Sequence, residues 1–273
     1  MIIEQKHIFF HVGTSKTGST FLQNRVFPHL KNVEYIPTNR YKKVHDIIQH
    51  SKSNKILVSR EFDRQFEREV TLFSNNFKNV TPIIVFRKHN EYLASQYRRF
   101  IKNGFRGTIR DFLDLEKDQG FFKIKHFTYE EQILFLDSVF KNKPVVLFYD
   151  QLKNSPKDFV FTITNILNCS IDINKVKLSR KHTSYNDKQL KAVRFFGKYF
   201  NLKKRRVFHN SVLHLLWRFY HAIFRYGILY IALLLPKSMF NQRPLIDSEY
   251  LKKVGDYFEE DWQKCLKNEK IFN

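Results

Sequence analysis

The chain has 273 residues, of which 42% are hydrophobic and 16% aromatic, so it can bury a sizeable core, which argues against a disordered protein. Its 48 Lys and Arg outnumber its 26 Asp and Glu, giving a formal net charge of +22 that predicts an anionic partner. Cys169 and Cys265 stand far apart without metal-ligand spacing, which argues against a disulfide framework and a zinc site. We expect both thiols to be buried and inert.

The first predicted strand, 8–12, breaks at Gly13 and leads into a loop of hydroxyls, one lysine and Gly18. A predicted helix over 19–30 follows. The N–H groups that begin a helix have no partner within it, the helix dipole adds positive potential there, and a glycine permits close approach of a ligand. The sequence therefore predicts an anion-binding loop, called the phosphate loop below. Its residues are Thr14, Ser15, Lys16, Thr17, Gly18, Ser19 and Thr20.

Strand-like and helix-like segments alternate along the following 140 residues or so. Predicted strands lie at 33–36, 55–59, 82–86 and 144–148, and predicted helices at 41–50, 64–75, 90–102, 108–115, 129–140 and 156–167. This alternation predicts an α/β fold with a P-loop-like central parallel sheet flanked by helices, and ligands at the carboxyl ends of the strands. We expect one domain over 1–273, with a core over about 1–170 and a basic helical C-terminal extension over about 171–273.

The glycine spacing of the phosphate loop matches a Walker A motif, but the position of its lysine does not. In a Walker A loop the lysine directly follows the second glycine. Here Ser19 occupies that position, and Lys16 lies inside the loop. No obvious Asp for Mg²⁺ follows the next strands. The order Gly-x-x-Lys-Thr-Gly-Ser-Thr instead resembles the phosphosulfate-binding loop of sulfotransferases that use 3′-phosphoadenosine 5′-phosphosulfate (PAPS).

A second pair of candidate residues follows the predicted strand 82–86. Arg87 ends this strand, and Ser95 lies eight residues later on the next predicted helix. An arginine can bind a phosphate through two parallel hydrogen bonds, and a serine hydroxyl adds a further donor. In the sulfotransferases the same pair at the same offset holds the 3′-phosphate of the donor. The resemblance therefore implies that Arg87 and Ser95 bind PAPS, and that the reaction needs no metal.

Two residues compete as the general base that an acceptor hydroxyl or amine requires. Glu61 follows the strand 55–59 in the sequence SREF, which resembles the Ser-Ser-Glu of bacterial members with glycan acceptors, with Arg60 as a departure. His45 lies on the predicted helix 41–50, where bacterial members also carry a histidine, the residue type most often used as a general base. His11 lies within the first strand, and we expect it to pack near the loop rather than to catalyse.

The resemblance covers most of the chain and implies a PAPS-dependent sulfotransferase domain of the bacterial, carbohydrate-modifying type. It implies transfer of a sulfuryl group to a hydroxyl or amine, on a glycan such as a cell-surface polysaccharide or on a glycolipid, with PAPS and its product PAP as ligands. Lys16 would act in catalysis together with Glu61 or His45. The family often places a loop that closes over the nucleotide near 180–186, but no residue there matches well enough to be given that role. A P-loop kinase-like phosphotransferase and a basic nucleic-acid-binding module stay open as alternatives, although no nucleic-acid recognition motif occurs.

The positive charge is concentrated in the segment 174–243, which has 16 Lys and Arg against the single acid Asp187 and so contributes +15 of the +22. Within it, a basic cluster at 203–206 precedes aromatic and aliphatic residues at partly helical spacing up to 236. This pattern fits a helix lying on an anionic membrane, and equally a basic appendage packed on the core by its apolar face.

The expected location follows from two features of the sequence. The amino terminus lacks the pattern of a secretory signal, and the apolar run 227–235 is shorter than the roughly 20 residues that span a bilayer. We therefore expect a cytoplasmic enzyme, held at the inner face of the membrane if the segment 203–236 lies on lipid.

Overall fold

The computed structural model describes residues 6–179, 185–199, 208, 210–239 and 243–268. The strands are β1 (His7–Gly13), β2 (Leu30–Lys31), β3 (Glu34–Ile36), β4 (Lys55–Glu61), β5 (Val80–Phe86), β6 (Val145–Phe148) and β7 (Ser170–Ile171). The α-helices are α1 (Ser19–Phe21), α2 (Val44–His50), α3 (Phe66–Ser74), α4 (His89–Lys102), α5 (Ile109–Phe112), α6 (Tyr129–Val139), α7 (Tyr149–Asn154), α8 (Pro156–Leu167), α9 (Asp187–Phe196), α10 (Ser211–Leu234), α11 (Ser248–Tyr257) and α12 (Glu259–Lys267). A π-helical turn spans Leu22–Val26, and 3₁₀ turns span Phe27–His29, Thr38–Lys43, Ile124–His126, Ile173–Lys175 and Lys237–Met239.

The chain divides into two compact units. The first comprises Met1–Tyr92, Ile124–Ser179 and Gly255–Asn273, and it contains all the strands named above. The second comprises Leu93–Lys123 and Arg180–Val254, and it contains α5, α9 and α10. The expectation of one domain, with a core over about 1–170, stays a prediction.

The first unit is built on a five-stranded parallel sheet in the order β3-β4-β1-β5-β6. This arrangement confirms the predicted α/β fold with a central parallel sheet. Strand β1 is the middle strand, and its last residue, Gly13, lies opposite Glu61 at the end of β4. Because parallel strands share one direction, the loops after β1, β4 and β5 leave the sheet at the same edge. A short antiparallel pair, β2 with β7, lies outside this sheet.

Alternate residues of each strand supply two hydrophobic clusters, one on each face of the sheet. Phe10 and Val58 belong to a cluster that packs against α3, α6 and α12. Their neighbours Phe9 and Leu57 belong to a second cluster, which includes residues of the π-helical turn and of α8. Since both faces are covered, the strands are apolar along nearly their whole length, as parallel strands generally are.

Three predicted helices differ from the structure, and one of them, 41–50, is 3₁₀ up to Lys43 and α-helical only from Val44. The predicted helix 19–30 is α-helical only from Ser19 to Phe21, continues as the π-helical turn and ends in a 3₁₀ turn at His29. Pro28 lies in that last turn, and a proline lacks the N–H that a continuing helix would need. The predicted helix 108–115 is only α5, four residues long, because the chain becomes extended at Leu113.

The second unit is helical. Helices α9 and α10 pack through a small apolar cluster that includes Val193, Ile228 and Leu229. Asp187, at the start of α9, forms an ion pair with Arg98 and also accepts a hydrogen bond from the backbone N–H of Leu245 at 3.1 Å. The expected helical character of the C-terminal region is therefore seen in the described part of this unit.

The two cysteines differ in their surroundings. Cys265 is buried in the core of the first unit, whereas Cys169 is half-buried, and neither forms a disulfide. Burial raises the pKa of both thiols, so both are held in the protonated, weakly nucleophilic form. The predicted burial is confirmed for Cys265 and is only partial for Cys169.

Candidate functional site

The phosphate loop joins the carboxyl end of β1 to α1. Most of its hydroxyl-bearing residues are buried, whereas Lys16 is exposed. Lys16 and Gly18 both adopt left-handed backbone conformations, with φ of 77° and 92°. The Thr17 hydroxyl donates a hydrogen bond to the Thr14 carbonyl at 2.9 Å, which closes the loop on itself. A left-handed non-glycine residue costs roughly 1–2 kcal/mol, and such residues cluster at functional sites.

Gly18 packs directly against the first turn of α7. A Cβ at this position would overlap Cδ2 of Leu152 and would lie 3.5 Å from Cδ2 of Tyr149. Gly13, at the other end of the loop, has ordinary space, since a Cβ there would lie 3.6 Å from Cγ1 of Ile84. A glycine is therefore required at position 18, both because of its positive φ and because a Cβ would have no space there, but not at position 13.

Glu61 contacts the phosphate loop directly. Strand β4 extends two residues beyond the predicted strand, so Glu61 is its last residue. The Ser15 hydroxyl donates a hydrogen bond to Glu61 Oε2 at 2.9 Å, and the Ser15 N–H donates to Asp63 Oδ1 at 3.4 Å. The structure thus brings together the candidate base and the loop, and it adds Asp63, which the sequence analysis missed. Its position two residues after a core strand was the available signal.

Arg87 follows β5 on the other side of β1. Its guanidinium carbon lies 4.6 Å from the centre of the Tyr149 ring, and its Nη2 donates to Glu91 Oε2 at 2.9 Å. Tyr149 is the first residue after β6, and its ring also lies next to Gly18. The sequence analysis missed Tyr149 and Glu91. Tyr149 thus lies between Arg87 and the phosphate loop, on the β5 side of β1.

Ser95 lies on α4, eight residues after Arg87, and it belongs to the second unit. Its side chain is half-exposed. Its role in binding a phosphate together with Arg87 stays a prediction.

His45 is not brought to the phosphate loop. It lies in the first turn of α2, where its ring centre is 5.6 Å from that of Phe77 and its Nδ1 is 3.9 Å from Asp46. Lys6, the residue before β1, donates hydrogen bonds from its Nζ to two backbone carbonyls in the last turn of α2. This helix therefore runs towards the amino ends of the strands. Among the described residues, His45 has no polar contact with the loop or with Glu61.

His11 takes part in a buried polar chain beneath the site. Its Nδ1 lies 2.8 Å from the hydroxyl of Ser59, which accepts a hydrogen bond from Gln23 Nε2 at 3.0 Å. Burial lowers the pKa of His11 from 6.5 to about 4, so the imidazole is neutral near pH 7. Through these hydrogen bonds His11 links β1 to β4 and to the π-helical turn. This position agrees with the expectation that His11 packs near the loop.

The remaining sequence predictions concern the basic C-terminal region. The cluster at 203–206 and most of the segment 180–186 lie outside the described residues. Helix α10 falls within the expected segment 203–236 and leaves most of its apolar side chains exposed. In the described part of the chain, no helix combines the length and apolarity that crossing a bilayer requires.

The loop has features that suit an anionic ligand. The Thr14 hydroxyl is buried and has no hydrogen-bond partner among the described residues. Gly18 lets the backbone turn tightly under α7, and Lys16 presents a cation at the surface. Groups of His, Cys, Asp or Glu that could hold a metal ion do not occur within the described ranges. The residues present therefore fit a phosphate or sulfate group.

No family model matches the chain, and no curated protein matches it. A sulfotransferase from Alicyclobacillus acidocaldarius matches with a TM-score of 0.51 at 14% identity, over 70% of this chain and 92% of that chain. A mouse sulfotransferase complexed with PAP matches with a TM-score of 0.35 at 10% identity, over 63% of this chain and 62% of that chain. The first likeness shows the class of fold, which is sulfotransferase-like.

Proposed function

We propose that the chain is a PAPS-dependent sulfotransferase that transfers a sulfuryl group to a hydroxyl or amine, on a glycan or glycolipid. The observation that carries this proposal is the arrangement at one edge of the sheet. The phosphate loop follows the middle strand, Glu61 ends the strand on one side, and Arg87 follows the strand on the other side. An anion-binding loop between a base and a second phosphate-binding cation is what in-line transfer from a phosphosulfate requires.

In this proposal the loop holds the 5′-phosphosulfate, and Arg87 with Ser95 holds the 3′-phosphate. The exposed Lys16 neutralises charge that develops on the bridging and sulfuryl oxygens. As the acceptor oxygen forms its bond to sulfur, the bond from sulfur to the bridging oxygen breaks, and PAP leaves with that electron pair.

Glu61 takes the acceptor proton. One of its oxygens accepts from the Ser15 hydroxyl at 2.9 Å, which orients the carboxylate, and the other is available for the proton. Contact with the loop favours Glu61 over His45 as the base.

The competing activity is a P-loop kinase-like phosphotransferase. Ser19 stands where a Walker A loop carries its lysine, and Lys16 lies three residues earlier with a left-handed backbone. These two features favour the phosphosulfate over a nucleoside triphosphate. ATP with Mg²⁺ supporting transfer, where PAPS does not, would favour the kinase.

The test is transfer from labelled PAPS to a panel of glycans and glycolipids. The Lys16→Ala variant should lose roughly 10²–10³-fold in turnover, the loss typical of removing one group that stabilises transition-state charge. Lys141→Ala is the matched control, since this exposed lysine lies just before β6, at the opposite edge of the sheet. Unchanged turnover in Lys16→Ala would defeat the assignment of this loop.

A further inference from the structure

A cleft of about 820 Å³ opens on the β3 and β4 side of the sheet in the first unit. Gln23 and Asn24 of the π-helical turn form one wall, and the 3₁₀ turn Thr38–Lys43 forms another. Arg40 and Arg60 contribute its charged groups, and no Asp or Glu is among the described residues that line it. The cleft is therefore polar and cationic.

Arg60 is held in place but its charge is not neutralised. Its Nη1 donates to the Thr38 carbonyl at 3.4 Å, and its guanidinium carbon lies 5.5 Å from the centre of the Tyr41 ring. Its Nε is buried and lacks a hydrogen-bond partner among the described residues. Within the same described ranges, no carboxylate lies within ion-pair distance of Arg40 or Arg60. The oriented guanidinium of Arg60 and the exposed one of Arg40, both without counter-charges in the described part of the chain, favour an anionic ligand.

The sheet order separates this cleft from the donor-binding residues. Arg87 follows β5 and Tyr149 follows β6, on one side of β1, whereas the cleft is lined from β3 and β4, on the other side. Glu61 directly follows Arg60 and contacts the loop between the two sides. The cleft therefore lies on the β4 side of the loop, the side of the sheet on which Glu61 ends its strand.

Resting on the proposed function, we propose that the cleft binds the acceptor and that the acceptor is an acidic saccharide. A carboxylate on a sugar residue would be held between Arg40 and Arg60 through charge-assisted hydrogen bonds. The amides of Gln23, Asn24 and Asn39 would bind sugar hydroxyls, because each amide offers both donors and an acceptor.

The test compares hexuronic-acid-containing oligosaccharides with the same oligosaccharides after reduction of their carboxyl groups to alcohols. Equilibrium binding to the full chain is measured by calorimetry without donor, and sulfuryl transfer is measured with PAPS. Wild type should bind the acidic form at least tenfold more tightly. Arg40→Gln and Arg60→Gln should each remove most of that preference. Lys43→Gln, which removes one charge from the same 3₁₀ turn outside the cleft, should keep it.

The outcomes separate this proposal from the proposed function. If PAPS is turned over but acidic and reduced saccharides bind equally, the acidic-acceptor proposal is overturned while the sulfotransferase stands. If PAPS does not bind but the saccharide preference depends on Arg40 and Arg60, the cleft stands and the donor assignment fails. If Lys43→Gln weakens binding as much as Arg40→Gln, the attraction comes from general charge and the site is overturned.

Helix α10 carries a second, independent inference, because most of its apolar side chains are exposed and only its last turns are buried. On one side of the helix Arg218 is exposed, His221 and Arg225 are half-buried, and Leu229 and Ala232 form a buried contact with α9. Arg225 Nη1 donates to Asn103 Oδ1 at 3.4 Å, on the body of the second unit. From His221 onward, this side of α10 therefore meets the second unit.

The opposite side of α10 is apolar and exposed along its length. Five apolar side chains follow one another there at helical spacing: Leu216, Tyr220, Ile223, Tyr230 and Leu234. Each of them, and the neighbouring Leu215, is at least 53% exposed. A contiguous exposed apolar face of this kind marks a binding surface rather than ordinary protein surface. We call it the outward face of α10.

We propose that the outward face of α10 lies on an anionic phospholipid membrane. The charge of the segment argues for this occupant, since 174–243 has 16 basic residues against one acid. Exposed tyrosines on the face suit the boundary between headgroups and acyl chains. Binding of α10 to the membrane would bring the enzyme close to membrane-associated glycans.

The test is co-sedimentation of the full chain with vesicles of phosphatidylcholine and phosphatidylglycerol in equal parts, and with vesicles of phosphatidylcholine alone. Wild type should bind the mixed vesicles at least tenfold more tightly. The double variant Leu216→Glu with Ile223→Glu should lose about tenfold or more in binding to them. The matched control is Leu72→Glu with Leu134→Glu, two exposed leucines of the first unit, and it should bind as wild type does.

Three results would overturn the membrane proposal. Wild type staying in the supernatant with both vesicle types is one. Equal binding by the double variant and by wild type is another. If the wild type is instead a dimer in sedimentation velocity and the double variant is a monomer, the outward face of α10 joins two copies of the chain.

Discussion

Replacing Gly18 by alanine tests the conformation of the phosphate loop most directly. Gly18 has a φ of 92°, which costs a residue with a Cβ roughly 1–2 kcal/mol. The new Cβ would also overlap Cδ2 of Leu152, but this atom is the end of a side chain that can shift, so we assign the overlap about 1 kcal/mol. Gly18→Ala should therefore destabilise the first unit by about 2–3 kcal/mol, with the backbone conformation as the larger cause.

Urea unfolding followed by tryptophan fluorescence measures this loss. The chain has two tryptophans, and Trp262 lies in the first unit while Trp217 lies in the second. A Trp217→Phe background leaves Trp262 as the reporter of the unit that holds the loop. Its transition gives the free energy of unfolding for that unit, which matters because two units need not unfold together.

Two control variants separate the cost of the positive φ from the cost of the overlap with Leu152. Gly13→Ala adds a methyl group at ordinary contact distance and should change the free energy of unfolding by less than about 0.5 kcal/mol. In a Leu152→Ala background the overlap is gone, so the cost of Gly18→Ala should fall by about 1 kcal/mol. Equal stability of Gly18→Ala and Gly13→Ala would refute the argument from φ. An unchanged cost in the Leu152→Ala background would refute the argument from the overlap.

Three further predictions concern the groups around the loop. Burial holds the pKa of His11 at about 4 against 6.5 in the unfolded chain, so the unfolded state binds more protons between these values. The first unit should lose about 3 kcal/mol of stability as the pH falls from 6.5 to 4, and His11→Leu should remove that part of the loss in urea titrations; an identical pH dependence in the variant contradicts this. Arg87→Lys should raise the Kd for PAP about tenfold, whereas Glu91→Gln, which frees the guanidinium, should lower it, and calorimetry that finds both unchanged excludes this arginine from the nucleotide site. At saturating PAPS, Glu61→Gln should lower kcat by roughly 10²–10⁴-fold and His45→Ala by less than about threefold, so the reverse order would make His45 the base.

The elements that position the site could be predicted because they depend on local pattern. Apolar runs marked the strands, and polar residues directly after them marked the carboxyl edge of the sheet. Gly13, Lys16 and Gly18 were found by spacing, and Glu61 and Arg87 by position after a strand. Each of these inferences needed only a few consecutive residues.

What could not be predicted depends on contacts between distant segments. Tyr149 lies next to Gly18 although 131 positions separate them in the sequence, and no local pattern distinguishes it from other tyrosines that follow strands. The π-helical turn after Phe21 is likewise set by packing of Leu22 and Val26 in the core. Helix propensity alone favours a regular helix there, and tertiary packing overrides it.

The helical spacing of the polar and apolar residues of α10 can be read from the sequence, but which of them meet the protein cannot. An amphipathic pattern defines two sides of a helix and does not say which one meets the protein. The usual assumption that the apolar side packs inward leads to the appendage packed on the core. In the structure only the last turns of α10, around Leu229, are buried in that way.

The position of β1 in the middle of the sheet has a consequence for synthesis of the protein. β1 is the first strand of the sheet to leave the ribosome, but its two neighbours, β4 and β5, end at Glu61 and Phe86. At roughly 5–20 residues per second, the exposed edges of β1 wait several seconds for both partners. The phosphate loop is therefore synthesised several seconds before both of the strands that flank β1. A ligand that binds the loop during synthesis would indicate when β4 and β5 have paired with β1.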